Sequence, residues 1–315
     1  MKWFLLFLGL VGLFFGGTYW WAGKDEKPLT REAQAGAPGG FIDTRAGRLH
    51  YRVQGPEDGP VVVMVHGYST PNFIFEQNAA ALEAAGFRVV RFDHFGRGWS
   101  DRPKGPYTAD FYDNELLDLL DGLSLTQPVS LVGLSMGGPI VSEFAVRHPE
   151  RVSRVALLVP AGLDIGAKGG ASAALVRMPV IGDWMWRVSA KKILLSDPQY
   201  DESALAPENR LQGDVLEQLK YKGYFPALLS TYRRFHMTGR DDTFRSLAAT
   251  GLPVMAVYGT DDPTVLISSA DKLAALMPEA RIVRIAGGTH GLNYQRHEDV
   301  NPLLLDFLSE GQGTP

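Results

Sequence analysis

A chain of 315 residues with 45% hydrophobic and 21% charged side chains is long and apolar enough for one large globular domain, or one domain with an insertion. Its net charge of −4, with lysines and arginines scattered along it, excludes the basic footprint of a nucleic-acid binder. It contains no cysteine, which excludes a disulfide frame, a zinc–thiolate site and a cysteine nucleophile, and no cofactor or metal motif is present.

Trp3 to Ala22 is nearly all apolar. About 20 such residues cross a hydrocarbon core as a helix. Tyr19, Trp20 and Trp21 lie at its end, where amphipathic rings favour a membrane interface. Bulky tryptophans stand where small residues would precede a signal-peptide cut, and Ala33-Gln34-Ala35 lies far beyond the apolar run. The sequence therefore predicts an uncleaved transmembrane anchor over 1–23 and a linker over 24–40. A short tail before the span, as in exported anchors, favours an extracytoplasmic or periplasmic catalytic domain. Lys24, Lys27 and Arg31 against Lys2 favour the opposite side.

The core follows as alternating strand and helix patterns. Phe41 to Gly55 reads as a hairpin, and Val61 to Val65 as a strand buried on both faces. A helix over 75–85, a strand over 88–92 and a helix over 110–123 come next. Val129 to Pro139 reads V-S-L-V-G-L-S-M-G-G-P: a strand, a G-x-S-x-G turn and the start of a helix. Val152 to Val159 is a further strand. The alternation then stops for about 90 residues, far longer than an ordinary connection. We read 163–250 as an inserted helical cap. Strands over 253–258 and 280–285, with helices over 268–277 and 300–308, complete a core of 41–162 and 251–315. Repeated βα units imply an α/β fold with a mainly parallel sheet, helices on both faces and the cap between strands 6 and 7. Chemistry in such sheets collects at the carboxyl ends of the strands.

Gly133-Leu134-Ser135-Met136-Gly137 has the context of a nucleophile elbow, which pushes Ser135 out of a sharp turn at a helix N-terminus. A serine hydroxyl needs a base to take its proton. Of the seven histidines, only His290 lies in the loop leaving the last strand, with His297 in reserve. His66 follows a buried strand and shapes its loop, and His148 sits at a helix end before Pro149. The base in turn needs an acid. Asp262 is the first choice, Asp261 the second and Asp164 a third, all in loops at the same sheet edge. Backbone N–H groups of Tyr68 and Met136 are placed to hold an oxyanion.

The order Ser135, Asp262, His290 resembles the serine hydrolases of the α/β-hydrolase superfamily. The likeness rests on His66-Gly67-Tyr68, Asp93-x-x-Gly96-x-Gly98-x-Ser100, Gly133-x-Ser135-Met136-Gly137-Gly138, Gly259-x-x-Asp262 and Gly288-x-His290. It implies cofactor-free hydrolysis of esters or related bonds. The anchor, the cap and Leu158-Val159-Pro160-Ala161-Gly162 are similar to membrane-bound monoacylglycerol lipases and carboxylesterases, which implies a small-molecule or lipid ester as substrate. Met178, Trp184, Met185, Trp186 and Phe225 are candidate acyl-pocket residues. Related carbon–carbon hydrolases of ring-cleavage products share the Ser-Met-Gly-Gly elbow, and would need one of Arg177, Arg187, Arg233 or Arg234 to meet a substrate carboxylate. Perhydrolase chemistry and a non-catalytic binding protein complete the alternatives.

Overall fold

The computed structural model describes residues 1–166, 170–196, 200 and 211–310. Its centre is one eight-stranded sheet in the order β1-β2-β4-β3-β5-β6-β7-β8. The strands are β1 (Gly40–Thr44), β2 (Gly47–Gln54), β3 (Val61–Val65), β4 (Arg88–Phe92), β5 (Val129–Leu134), β6 (Val152–Leu158), β7 (Val254–Gly259) and β8 (Arg281–Ile285). β3 to β8 pair in parallel, and the hairpin β1–β2 adds an antiparallel edge.

β3 shows why the centre holds. Alternate residues of a strand point to opposite faces. Val63 and Val65 enter one core cluster, and Val62 and Met64 the other. Each fully buried aliphatic side chain contributes roughly 1.5–3 kcal/mol. The Val63 side is covered by α4 (Ala109–Gly122), α5 (Gly137–Arg147), α10 (Asp241–Ala249) and α11 (Ser268–Leu276). The Val62 side is covered by α3 (Glu76–Ala84), α12 (Leu292–Gln295) and α13 (His297–Ser309).

Between β6 and β7 the described chain is helical: α6 (Gly170–Arg177), α7 (Ile181–Leu195), α8 (Leu211–Gln218), α9 (Tyr224–Arg234) and α10. Residues 167–169, 197–199 and 201–210 of the span read as a cap, and 311–315 of the core, lie outside the described residues. α9 reaches the loops at the carboxyl end of the sheet. Its Leu228 carbonyl accepts the Tyr68 hydroxyl at 2.8 Å, and its Tyr224 hydroxyl donates to the Ser69 carbonyl at 2.8 Å.

α1 (Lys2–Trp21) is one helix long and apolar enough to cross a membrane, and none of it is buried. The stretch read as a linker is laid against the domain. Lys27 exchanges backbone hydrogen bonds with Lys220 and Lys222 at 2.7 and 2.8 Å. The short helix α2 (Arg31–Ala35) buries Gln34, whose amide donates to the Trp99 carbonyl and to Asp101. These ties are backbone and long-range contacts, which a composition rich in Ala, Gly and Pro does not reveal.

Candidate active site

The strand order reverses at β3. β4 lies on one side of it and β5 on the other, and the crevice at such a switch point is where open α/β sheets hold ligands. Val65 pairs with Gly133, so the loops leaving β3 and β5 start side by side. Gly259 pairs with Ile285, which places the loops leaving β7 and β8 together at the same edge.

Ser135 follows β5 with φ +51°, a left-handed backbone that costs a non-glycine residue of order 1–3 kcal/mol. The turn is held by its own peptide. Ser135 N–H donates to the Leu158 carbonyl at 2.9 Å, and its carbonyl accepts from Gly138 and Ala161 at 2.9 and 3.0 Å. Gly137 must lack a Cβ, since one would stand 2.1 Å from the Val65 carbonyl oxygen. Met136 is the N-cap of α5, so its N–H lies at the positive end of a helix. Gly67 brings the β3 loop against Ser135, because a Cβ there would lie 3.3 Å from Ser135 Cβ. Tyr68 is the next residue, so its peptide flanks the same spot.

Three of the sequence-predicted residues meet. His290 Nε2 lies 2.9 Å from Ser135 Oγ, and His290 Nδ1 lies 2.8 Å from Asp262 Oδ2. Asp262 is buried, and its Oδ1 accepts the Thr264 and Val265 N–H groups at 2.7 and 2.9 Å. Both carboxylate oxygens are thereby engaged, and the imidazole is aimed at Ser135.

The other candidates lie elsewhere. Asp261 is exposed, with its carboxylate on the Thr260 hydroxyl. Asp164 binds Ser268 and Lys272 of α11. His297 Nδ1 faces the Tyr294 carbonyl, and His148 faces Asp113. Met178 is exposed and Met185 half-buried. Trp184 packs on Phe14 and Phe15 of α1 and donates its indole N–H to Thr18 Oγ1 at 2.9 Å. Trp186 and Phe225 line a cavity of about 230 Å³ whose walls come from α1, α7 and α9. Of the four arginines, Arg177 lies over the Tyr232 ring, Arg187 pairs with Glu26, Arg233 pairs with Asp183, and Arg234 lines that cavity.

A buried polar frame lies behind the β3 loop; the sequence pointed to its Asp93 and His66 but not to His50, Asn72, Arg97 or Glu115, which complete it. Asp93 accepts from His50, from the Asn72 and Trp99 N–H groups and from the Asn72 amide. Burial alone would raise its carboxyl, but His50 and these donors hold it well below the usual carboxylate range. Burial pushes the His66 imidazole well below its ordinary value. Burial also lowers the His94 imidazole to about 3 and raises the carboxyl of its partner Glu115. Arg97 is fully buried. It donates from Nε to the Tyr68 carbonyl at 3.0 Å, and from its two Nη atoms to the Phe95 carbonyl and to Thr231 Oγ1 of α9. The signal was the glycine-punctuated run Asp93 to Ser100, whose glycines mark a tight loop but do not say what its Arg97 holds.

Comparison with known proteins agrees with this fold. Residues 60–296 match the family model described as alpha/beta hydrolase fold. The chain is similar to a putative non-heme chloroperoxidase of Synechocystis, 28% identical over 79% of this chain and 91% of that protein. It is similar to a 2-hydroxy-6-oxononadienedioate/2-hydroxy-6-oxononatrienedioate hydrolase of Paraburkholderia xenovorans, 27% identical over 83% and 91%. A carboxylesterase of Bacillus subtilis is 26% identical over 86% and 88%. Among solved structures, an enol-lactonase of Burkholderia xenovorans superposes with a TM-score of 0.70 at 25% identity, covering 86% of this chain and all of that one (100%). With three-quarters of its length matched by the family model, the chain belongs to the α/β hydrolase fold family.

Proposed function

We propose that the protein is a serine hydrolase that cleaves carboxylic esters, with Ser135 as nucleophile, His290 as base and acid, and Asp262 as its orienting carboxylate. The observation that carries the reading is the continuous hydrogen-bond chain from Ser135 Oγ through His290 to buried Asp262. His290 Nε2 takes the Ser135 proton as Oγ bonds to the ester carbonyl carbon. The oxyanion is received by the N–H groups of Met136 and Tyr68, each worth about 10²–10³ in rate. Collapse expels the alkoxide, which takes the proton from His290. His290 then deprotonates a water that attacks the acyl carbon, and Ser135 leaves with its proton restored.

A lipid-like ester, such as a monoacylglycerol or a medium-chain ester, fits an enzyme held at a membrane by α1. The length and apolarity of α1, with Tyr19, Trp20 and Trp21 at its end, support that tether. Arg177, Arg187 and Arg233 are engaged with Tyr232, Glu26 and Asp183, which leaves Arg234, in the wall of the cavity beside Trp186 and Phe225, as the arginine a carboxylated ring-cleavage product would have to meet. The full chain in detergent micelles should hydrolyse p-nitrophenyl esters with a preference for medium over acetyl chains. A monotonic preference for the shortest ester contradicts the lipid reading, and turnover of a dienone acid without any ester hydrolysis contradicts ester chemistry.

A further inference from the structure

Outside α1, the large apolar side chains left exposed among the described residues are concentrated in one stretch of the chain. Five of nine fall between 175 and 193: Leu175, Met178, Val180, Val188 and Ile193. A patch of this kind marks a contact surface. Val180, Trp184 and Val188 are spaced by four, so they form one stripe along α7 and its N-cap. Val180 is 81% exposed, and Lys191, at the far end of the stripe, is exposed as well.

The middle of that stripe is already seated on α1. The Trp184 ring lies 4.6 Å from Phe15 and 6.2 Å from Phe14, centroid to centroid, and its indole N–H donates to Thr18 Oγ1. Below it, Arg187 pairs with Glu26 and lies over the Tyr19 ring. Phe15 is four residues before Tyr19 and six before Trp21, so at the helical rise Trp184 touches α1 about 6–9 Å inside its terminal rings. Tyr19, Trp20 and Trp21 set the level of the interface. A side chain packed that far along the apolar helix stands at acyl-chain depth, and its neighbours on the stripe flank it at the same end of α1.

We propose that the α6–α7 face carrying Met178, Val180 and Val188 is a second membrane contact, seated in the leaflet that α1 leaves at Trp21. The occupant is the lipid surface itself. Its apolar side chains meet acyl chains, and the stem of Lys191 extends toward headgroups. The face is continuous with α1 through Trp184, which is what singles out lipid over another protein. This inference rests on the reading of α1 as a membrane helix. It deepens that reading, because two contacts fix how the catalytic domain stands over the bilayer and hold the helices of the β6–β7 insertion against the lipid that would supply a substrate.

The absence of cysteine makes the test clean. Single substitutions Val180→Cys, Val188→Cys, Phe7→Cys and Asp58→Cys are made in the full chain, each is spin-labelled, and the protein is reconstituted in vesicles of phosphatidylcholine and phosphatidylglycerol. Phe7 reports the span, and exposed Asp58 reports solvent. The expected result is an oxygen-to-nickel-chelate accessibility ratio several-fold higher at Val180 and Val188 than at Asp58, and highest at Phe7. Water-like ratios at Val180 and Val188 with a lipid-like ratio at Phe7 overturn the second contact and leave the span intact. Water-like ratios at all three overturn both. Dipolar broadening between labels on two chains would assign the face to a second copy of the protein, which also overturns the proposal.

Discussion

Replacing Asp262 by asparagine isolates what the carboxylate does for His290. Oδ1 of Asp262 accepts two backbone N–H groups, from Thr264 and Val265. An amide nitrogen cannot take that place without setting three donors against each other, so Asp262→Asn must keep its oxygen there and turn its NH2 toward His290 Nδ1. Nδ1 then has to accept, the ring proton moves to Nε2, and Nε2 can no longer take the proton of Ser135. Loss of the correct tautomer costs about 10⁴ in kcat, or roughly 5.4 kcal/mol of barrier. The fold should survive, because the side chain keeps its volume and its two backbone bonds. The assay is p-nitrophenyl butyrate hydrolysis beside a thermal melt in the same detergent. Asp261→Asn is the control: Asp261 is exposed and touches Thr260, so activity should stay within a few-fold of wild type. An Asp262→Asn protein with a wild-type melt and activity within about tenfold of wild type would refute the assigned acid.

Two further outcomes follow from the buried frame. Arg97→Lys keeps the charge but loses the fork that joins the Tyr68 and Phe95 carbonyls to Thr231. We expect kcat per folded molecule to fall about tenfold with KM little changed, as for a lost transition-state contact; a loss confined to stability would remove Arg97 from positioning Tyr68. The second outcome concerns pH. The folded-state value of His66 lies well below 6.5, so the unfolded chain binds the extra proton as pH falls through 6.5 and stability is lost, by up to about 1.4 kcal/mol per pH unit. His94 is lowered to about 3 and its partner Glu115 is raised, both by burial, so as pH falls the unfolded chain gains the histidine's proton while the folded chain holds the carboxyl's, and the two contributions oppose each other. His50 is raised, so its contribution is complete below 6.5 and lost only at higher pH. Denaturant unfolding from pH 6.5 to 5 should show the slope in wild type and its loss in His66→Gln; an unchanged slope in the variant would assign it to another group.

The parts of the fold written in local periodicity were legible. β3 falls on Val61–Val65 as expected, because a short run of five apolar, mostly β-branched residues is typical of a strand buried on both faces. The elbow was legible for the same reason: strand, glycine-flanked serine and helix have one compact solution. Chain order also placed Asp262 and His290 in loops at the same edge as Ser135. The choice between Asp262 and Asp261 was not legible beyond preference, since it depends on which side chain turns inward to meet the Thr264 and Val265 N–H groups. Trp184 shows the limit most plainly. An aromatic in the inserted helices reads equally as a pocket wall or as packing, and only the folded chain shows it on Phe15 of α1, a contact separated by about 170 residues. Arg97 and the packing of 24–40 were hidden likewise, because their partners are distant backbone groups with no sequence signature.

The most direct test of the account is active-site labelling. Wild-type protein and Ser135→Ala are exposed to a fluorophosphonate probe, and each is assayed on p-nitrophenyl butyrate. The account predicts one labelled site per wild-type chain, mapped by peptide mass to Ser135, with no labelling and at least a 10³-fold loss of hydrolysis in the variant. Undiminished turnover in a folded Ser135→Ala protein would contradict it.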